Sequence, residues 1–75
     1  MLLESLRYFL AVVKTMSFSE AAEELNISQS ALSKKIKSLE LDLDVLLFYR
    51  TTRAIQLTEA GTALVPLANE AVLLE

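Results

Sequence analysis

Leu3, Leu6, Leu10 and Val13 recur at alternating steps of three and four residues, the repeat of one helical face. The spacing predicts a first helix over about residues 3–14, with Phe9 and Val12 widening its apolar stripe as suits the central strut of a small core. Ser17-Phe18-Ser19-Glu20 reads as a capping box, in which Ser17 caps a second helix ending near Leu25 and Glu20 reaches back to the cap amide. Phe18, Ala21, Ala22 and Leu25 keep helical spacing, and the alanines let another helix approach closely. A turn at Asn26-Ile27 leads to Ser28, the N-cap of a third helix over about residues 29–43. Leu32, Ile36, Leu39 and Leu43 share one side of that helix. Ser30, Ser33, Lys34 and Lys37 share another, a polar and basic front without acids.

From Val45 to Thr58 the pattern shifts to β-branched and aromatic residues around Thr51-Thr52-Arg53, which predicts a short hairpin. Thr58 then caps a last helix, with Glu59 beside its positive end and Pro66 expected to bend it. Within this helix Ala60, Leu64, Leu67, Ala71 and Leu74 repeat like a coiled-coil seam, while Val65, Val72 and Leu73 lie off it. Either a second copy covers part of the helix, or the whole helix folds back as core. No internal repeat or low-complexity tract interrupts the chain.

Composition narrows the chemistry. The 75 residues hold one glycine, one proline and neither cysteine nor histidine, which removes zinc fingers, disulfides, thiol nucleophiles and histidine-based triads. One glycine cannot build a phosphate-cradling loop. Glu20, Glu23 and Glu24 read as a solvated helix face plus one cap, and the five aromatic residues as core or core edge, so no catalysis, metal or cofactor is expected. The apolar run from Tyr8 to Val13 is too short to cross a bilayer, so the chain is expected to be soluble and cytoplasmic. A net charge of −3 argues against a nucleic-acid partner. Distribution reverses that argument, because five of the seven cations (Lys34, Lys35, Lys37, Arg50 and Arg53) fall between positions 34 and 53.

Several blocks together resemble the amino-terminal DNA-binding module of LysR-type regulators. Leu6-Arg7-Tyr8-Phe9 and Phe18-Ser19-x-Ala21-Ala22-x-x-Leu25 are similar to that family's first two helices. Ser28-Gln29-Ser30-Ala31-Leu32-Ser33-x-x-Ile36-x-x-Leu39-Glu40 is similar to its recognition helix. Leu47-Phe48-x-Arg50 and Leu57-Thr58-x-Ala60-Gly61 resemble its wing and the start of its linker helix. Asp44 departs from the pattern, since the family usually has glycine there, a residue that adopts left-handed dihedrals at no cost.

The resemblance implies a mainly α, winged helix-turn-helix fold with a three-helix core, a short β-hairpin wing and a carboxyl-terminal linker helix. Residues 1–58 would form the DNA-binding domain and 59–75 the start of the linker or dimerisation helix, with the effector-binding domain absent. It implies sequence-specific binding of duplex DNA for transcription regulation, helix 29–43 entering the major groove and the wing, about 46–58, lying on the flanking minor groove or backbone.

Gln29, Ser30, Ser33 and Lys34 are then candidates for base edges, although such a face taken alone is more often merely solvated. Ser28, Lys35, Lys37, Arg50, Thr51, Thr52 and Arg53 are candidates for the DNA backbone. Solvent is an equal reading for Lys35, and an ion pair with Glu40 an equal one for Arg50. Leu64, Leu67, Ala71 and Leu74 are the candidate homodimer interface, on an interrupted inverted repeat of DNA. A small-molecule effector would act only through the absent domain, and the competing reading is a winged-helix module that binds protein.

Overall fold

The computed structural model describes residues 2–50 and 54–74. Helices α1 (Leu2–Thr15), α2 (Phe18–Leu25) and α3 (Gln29–Leu43) precede strands β1 (Phe48–Arg50) and β2 (Ile55–Leu57), and α4 (Glu59–Leu73) follows. The expected order of three helices, hairpin and final helix is present, and the fold is a mainly α winged helix-turn-helix.

Helix α1 packs against each of the other three helices, as its widened apolar stripe requires. Leu6, Phe9 and Val12 meet Ala21 and Ala22 of α2, Leu32, Ile36 and Leu39 of α3, Leu47 and Phe48 of the hairpin region, and Ala68 of α4. Phe48 anchors the hairpin to two helices: its ring centroid lies 5.5 Å from Phe9 and 5.9 Å from Phe18, in the tilted and edge-on geometries that aromatic quadrupoles favour. Leu43 is the exception on α3. It is 40% exposed, because the chain reverses at Asp44 and leaves the last turn partly uncovered.

Hydroxyls start three helices. Ser17, Ser28 and Thr58 each accept from the amide three residues on, at 2.9–3.1 Å. The second half of the expected capping box is not formed, since Ser17 N–H donates instead to Thr15 Oγ1 at 3.2 Å. The short connection from α1 brings that hydroxyl to the amide before Glu20 can reach it.

Met16, Asn26 and Asp44, directly after α1, α2 and α3, all adopt left-handed backbone at φ 51–58°. At the last two the chain closes on itself: Ile27 N–H donates to Ala22 O and Val45 N–H to Glu40 O, each at 3.1 Å. Helix α3 therefore ends at Leu43, and Asp44 occupies the position where glycine is free of strain. Its carboxylate also stands at the negative end of the helix. Asp44→Gly is expected to stabilise the fold by about 0.5–1 kcal/mol, read as a higher urea midpoint at unchanged slope; a lower midpoint would show that the Asp44 side chain supports the turn.

The hairpin pairs Phe48 with Leu57, Tyr49 with Gln56 and Arg50 with Ile55. Alternation along β1 sets Phe48 and Arg50 on the inner face and Tyr49 on the outer. Tyr49 is accordingly 53% exposed, which corrects its expected place at the core edge. Helix α4 continues through Pro66 as one element.

Candidate nucleic-acid interface

The amino-terminal half of α3 presents a face that the rest of the fold leaves open. Leu32, Ile36 and Leu39 turn inward. Gln29, Ser30, Ser33, Lys34 and Lys37 consequently line one shallow hollow of about 500 Å³, with no carboxylate among them. Ser28 stands at its edge as the helix cap, its Oγ 3.4 Å from that of Ser30. The four expected base-contacting residues and Lys37 are therefore brought together by one helix surface.

The cations outside that hollow are differently placed. Lys35 Nζ lies 2.9 Å from Glu4 Oε1, tying α3 to α1. The hydrogen bond from Lys35, and then its charge, hold the Glu4 carboxyl below its ordinary pKa, and Glu4 in turn raises Lys35. Lys14 pairs with Glu24 at 3.0 Å. Among the described residues, Lys34 and Lys37 are the cations of α3 that face outward without a carboxylate partner.

Arg50 takes the structural alternative. Its Nη2 lies 3.5 Å from Glu40 Oε1, and its guanidinium stands 5.0 Å from the Phe18 ring centroid, within cation–π range. The expectations for Thr51, Thr52 and Arg53 fall outside the described residues.

Glu40 carries a role that sequence reasoning found only in part. Its carboxylate is 6% exposed, and Oε2 accepts from Leu47 N–H at 2.8 Å and Phe48 N–H at 3.3 Å. The available signal is position, since Glu40 stands four residues after buried Ile36 and so belongs to the inward stripe.

The expected seam of α4 divides. Leu64 and Ala71 are half-buried against the core beside Val65, Val72 and Ala68, whereas Leu67 is 61% and Leu74 79% exposed. Leu64 and Ala71 are thus edge positions of a helix that packs on its own core, and Leu67 and Leu74 lead an outer apolar stripe.

No helix among the described residues is long and apolar enough to cross a membrane. Residues 3–62 match the bacterial regulatory helix-turn-helix protein, lysR family. An uncharacterized HTH-type transcriptional regulator of Azotobacter vinelandii is 54% identical over 66 residues, covering 88% of this chain and 46% of the relative. The HTH-type transcriptional activator AmpR of Citrobacter freundii is 46% identical over 68 residues, covering 91% and 23%. Among solved structures, the CbnR DBD–DNA complex matches with a TM-score of 0.94 at 36% identity, covering 99% of this chain and 85% of that one. The BenM DBD bound to benA site 1 DNA matches at 0.91 and 38%, covering 97% and 82%. The chain spans less than half the length of the two regulators.

Proposed function

The chain belongs to the LysR family of bacterial regulatory helix-turn-helix proteins, and from that membership we propose that it binds duplex DNA sequence-specifically in transcription regulation. Helix α3 enters the major groove and the hairpin lies on the flanking minor groove or backbone. The observation that carries this reading is the open, acid-free hollow of Gln29, Ser30, Ser33, Lys34 and Lys37 on α3, on a fold shared with chains solved in DNA complexes.

Gln29, Ser30, Ser33 and Lys34 read base edges, and Ser28 and Lys37 hold phosphates. Lys35, tied to Glu4 by an exposed ion pair, ranks below Lys37 as a phosphate contact. Arg53, with Thr51 and Thr52, supplies the wing contact. Two copies join along the outer stripe of α4 around Leu67 and Leu74, which suits an interrupted inverted repeat. Residues 1–58 act as the DNA-binding unit and 59–75 as the dimer helix, and no effector site is assigned to either. The acids that favour a protein partner lie away from the hollow, at Glu20, Glu23 and Glu24 of α2, Glu59 and Glu70 of α4, and Glu40, Asp42 and Asp44 at the carboxyl end of α3.

Sites selected from a random duplex pool and titrated at several salt concentrations test the proposal. Each phosphate contact is expected to add about −0.9 to the slope of log affinity against log salt. Lys37→Ala is expected to weaken all sequences alike and make the slope shallower by about 0.9. Lys35→Ala is expected to leave the slope unchanged. Gln29→Ala is expected to lower discrimination by about 1–3 kcal/mol at one base pair. A flat salt dependence, or no binding at low salt, rejects DNA as the partner.

A further inference from the structure

Arg50 sits where a surface cation of a wing has no reason to be. Strand alternation places it on the same face as buried Phe48. Its side chain is only 29% exposed, against 73% for the solvated Lys14. One guanidinium touches two helices, meeting the Glu40 carboxylate from α3 and the Phe18 ring from α2. Glu40 meanwhile holds the amides of Leu47 and Phe48, at the entry to the same strand. The wing is therefore hung from the carboxyl-terminal half of the helix whose amino-terminal half presents the open polar hollow.

We infer that Arg50 is a positioning residue, which sets the angle between hairpin and recognition helix and makes no phosphate contact of its own. The inference rests on the DNA-binding reading above and gives the sequence-predicted contact at Arg50 a different role. Drawing this guanidinium away to a phosphate costs the buried Glu40 carboxylate its ion pair and leaves it only the two backbone amides. The free cations of the hollow carry no such penalty. Wing and helix grip one duplex together only when their relative angle is fixed, so loss of Arg50 removes wing engagement while the count of phosphates neutralised by α3 stays the same.

The test compares the parent with Arg50→Met, which removes the polar contacts, and Arg50→Gln, whose shorter amide keeps a donor on the Glu40 side without the charge. Each is titrated with the selected duplex across salt concentrations and footprinted, well below its own melting temperature. Arg50→Met is expected to lose protection at the flanks and about tenfold in affinity, the scale of one specific contact, with its salt slope shallower only by what the wing's own cation contributes. Arg50→Gln is expected to recover flank protection at the parent slope. A slope shallower by about 0.9 in Arg50→Gln with its flanks still protected makes Arg50 a phosphate ligand and overturns the inference, and flank protection that Arg50→Gln does not recover overturns it too. Unchanged flanks and affinity in both overturn it as well, leaving Arg50 a purely structural role. If Arg50→Met fails to fold, Arg50→Gln decides, since a phosphate ligand loses slope there too and a positioning residue does not. A parent that binds no DNA removes the DNA reading itself, and the two failures are told apart by the parent titration alone.

Discussion

Glu40→Ala is expected to destabilise the fold by about 3–5 kcal/mol, the scale of two buried amides left without their acceptor together with a part-exposed ion pair lost. The carboxylate does more than pair with Arg50, because it also accepts the amides of Leu47 and Phe48 where the chain passes from α3 into β1. Alanine leaves both amides without their acceptor in a buried setting, each costing about 1–3 kcal/mol. A chain of this size holds roughly 4–11 kcal/mol in total, so the variant stands near the edge of folding. Urea denaturation followed by circular dichroism measures the loss, and a Tm lower by more than about 12 °C is expected. Glu40→Gln is expected to recover part of it, since its amide oxygen still accepts from the strand while its NH2 group faces Arg50 unfavourably. A Glu40→Ala protein within about 1 kcal/mol of the parent would show that water replaces the carboxylate at both amides.

Gly61→Ala is the second large effect, and its sign is the informative part. On an exposed helix the change gains about 1 kcal/mol. Here a Cβ at position 61 would stand 2.3 Å from the Leu47 carbonyl oxygen and 2.8 Å from Leu57 Cδ2. The carbonyl cannot yield, because it accepts Thr58 N–H at 3.0 Å and the Leu47 amide is itself held by Glu40. Glycine is present for close approach, since its φ is not positive. A loss of about 2–3 kcal/mol is expected, with Ala63→Gly on the exposed side of α4 as the control that isolates propensity. A stabilised Gly61→Ala protein would show that α4 can shift away from the hairpin without consequence.

Both effects mark what the chain discloses and what it withholds. Helix bounds were legible, because caps and apolar spacing are local properties: Ser17, Ser28 and Thr58 each start a helix as expected, and α3 ends at Leu43. The acid-free face of α3 was legible for the same reason. Pairings between distant segments were not. Nothing near Lys35 in sequence announces Glu4, thirty-one positions away. The contact between Gly61 and Leu47 exists only once α4 is laid on the hairpin entry. In α4, apolar residues wrap more than one face, so spacing alone did not tell which leucines point inward, and the structure gives Leu64 to the core and Leu67 to the outside. Asp44 was flagged as a departure, and its left-handed backbone is the reason glycine suits the position.

Thr58 stands at a joint. Its amide donates to Leu47 O, its hydroxyl donates to Leu46 O, and the same oxygen caps α4 by accepting Gly61 N–H. Seen as mechanics, this joint is one end of a strut: the 15 residues of α4 reach about 22 Å, and a tilt of roughly 10° at Thr58 swings the far end by about 4 Å, slightly more than the 3.4 Å between stacked base pairs, only by lifting buried Ala68 from the core. If two copies join along that helix as proposed, the three hydrogen bonds of Thr58 and the seat of Ala68 together limit how many base pairs of spacing error the pair tolerates between half-sites.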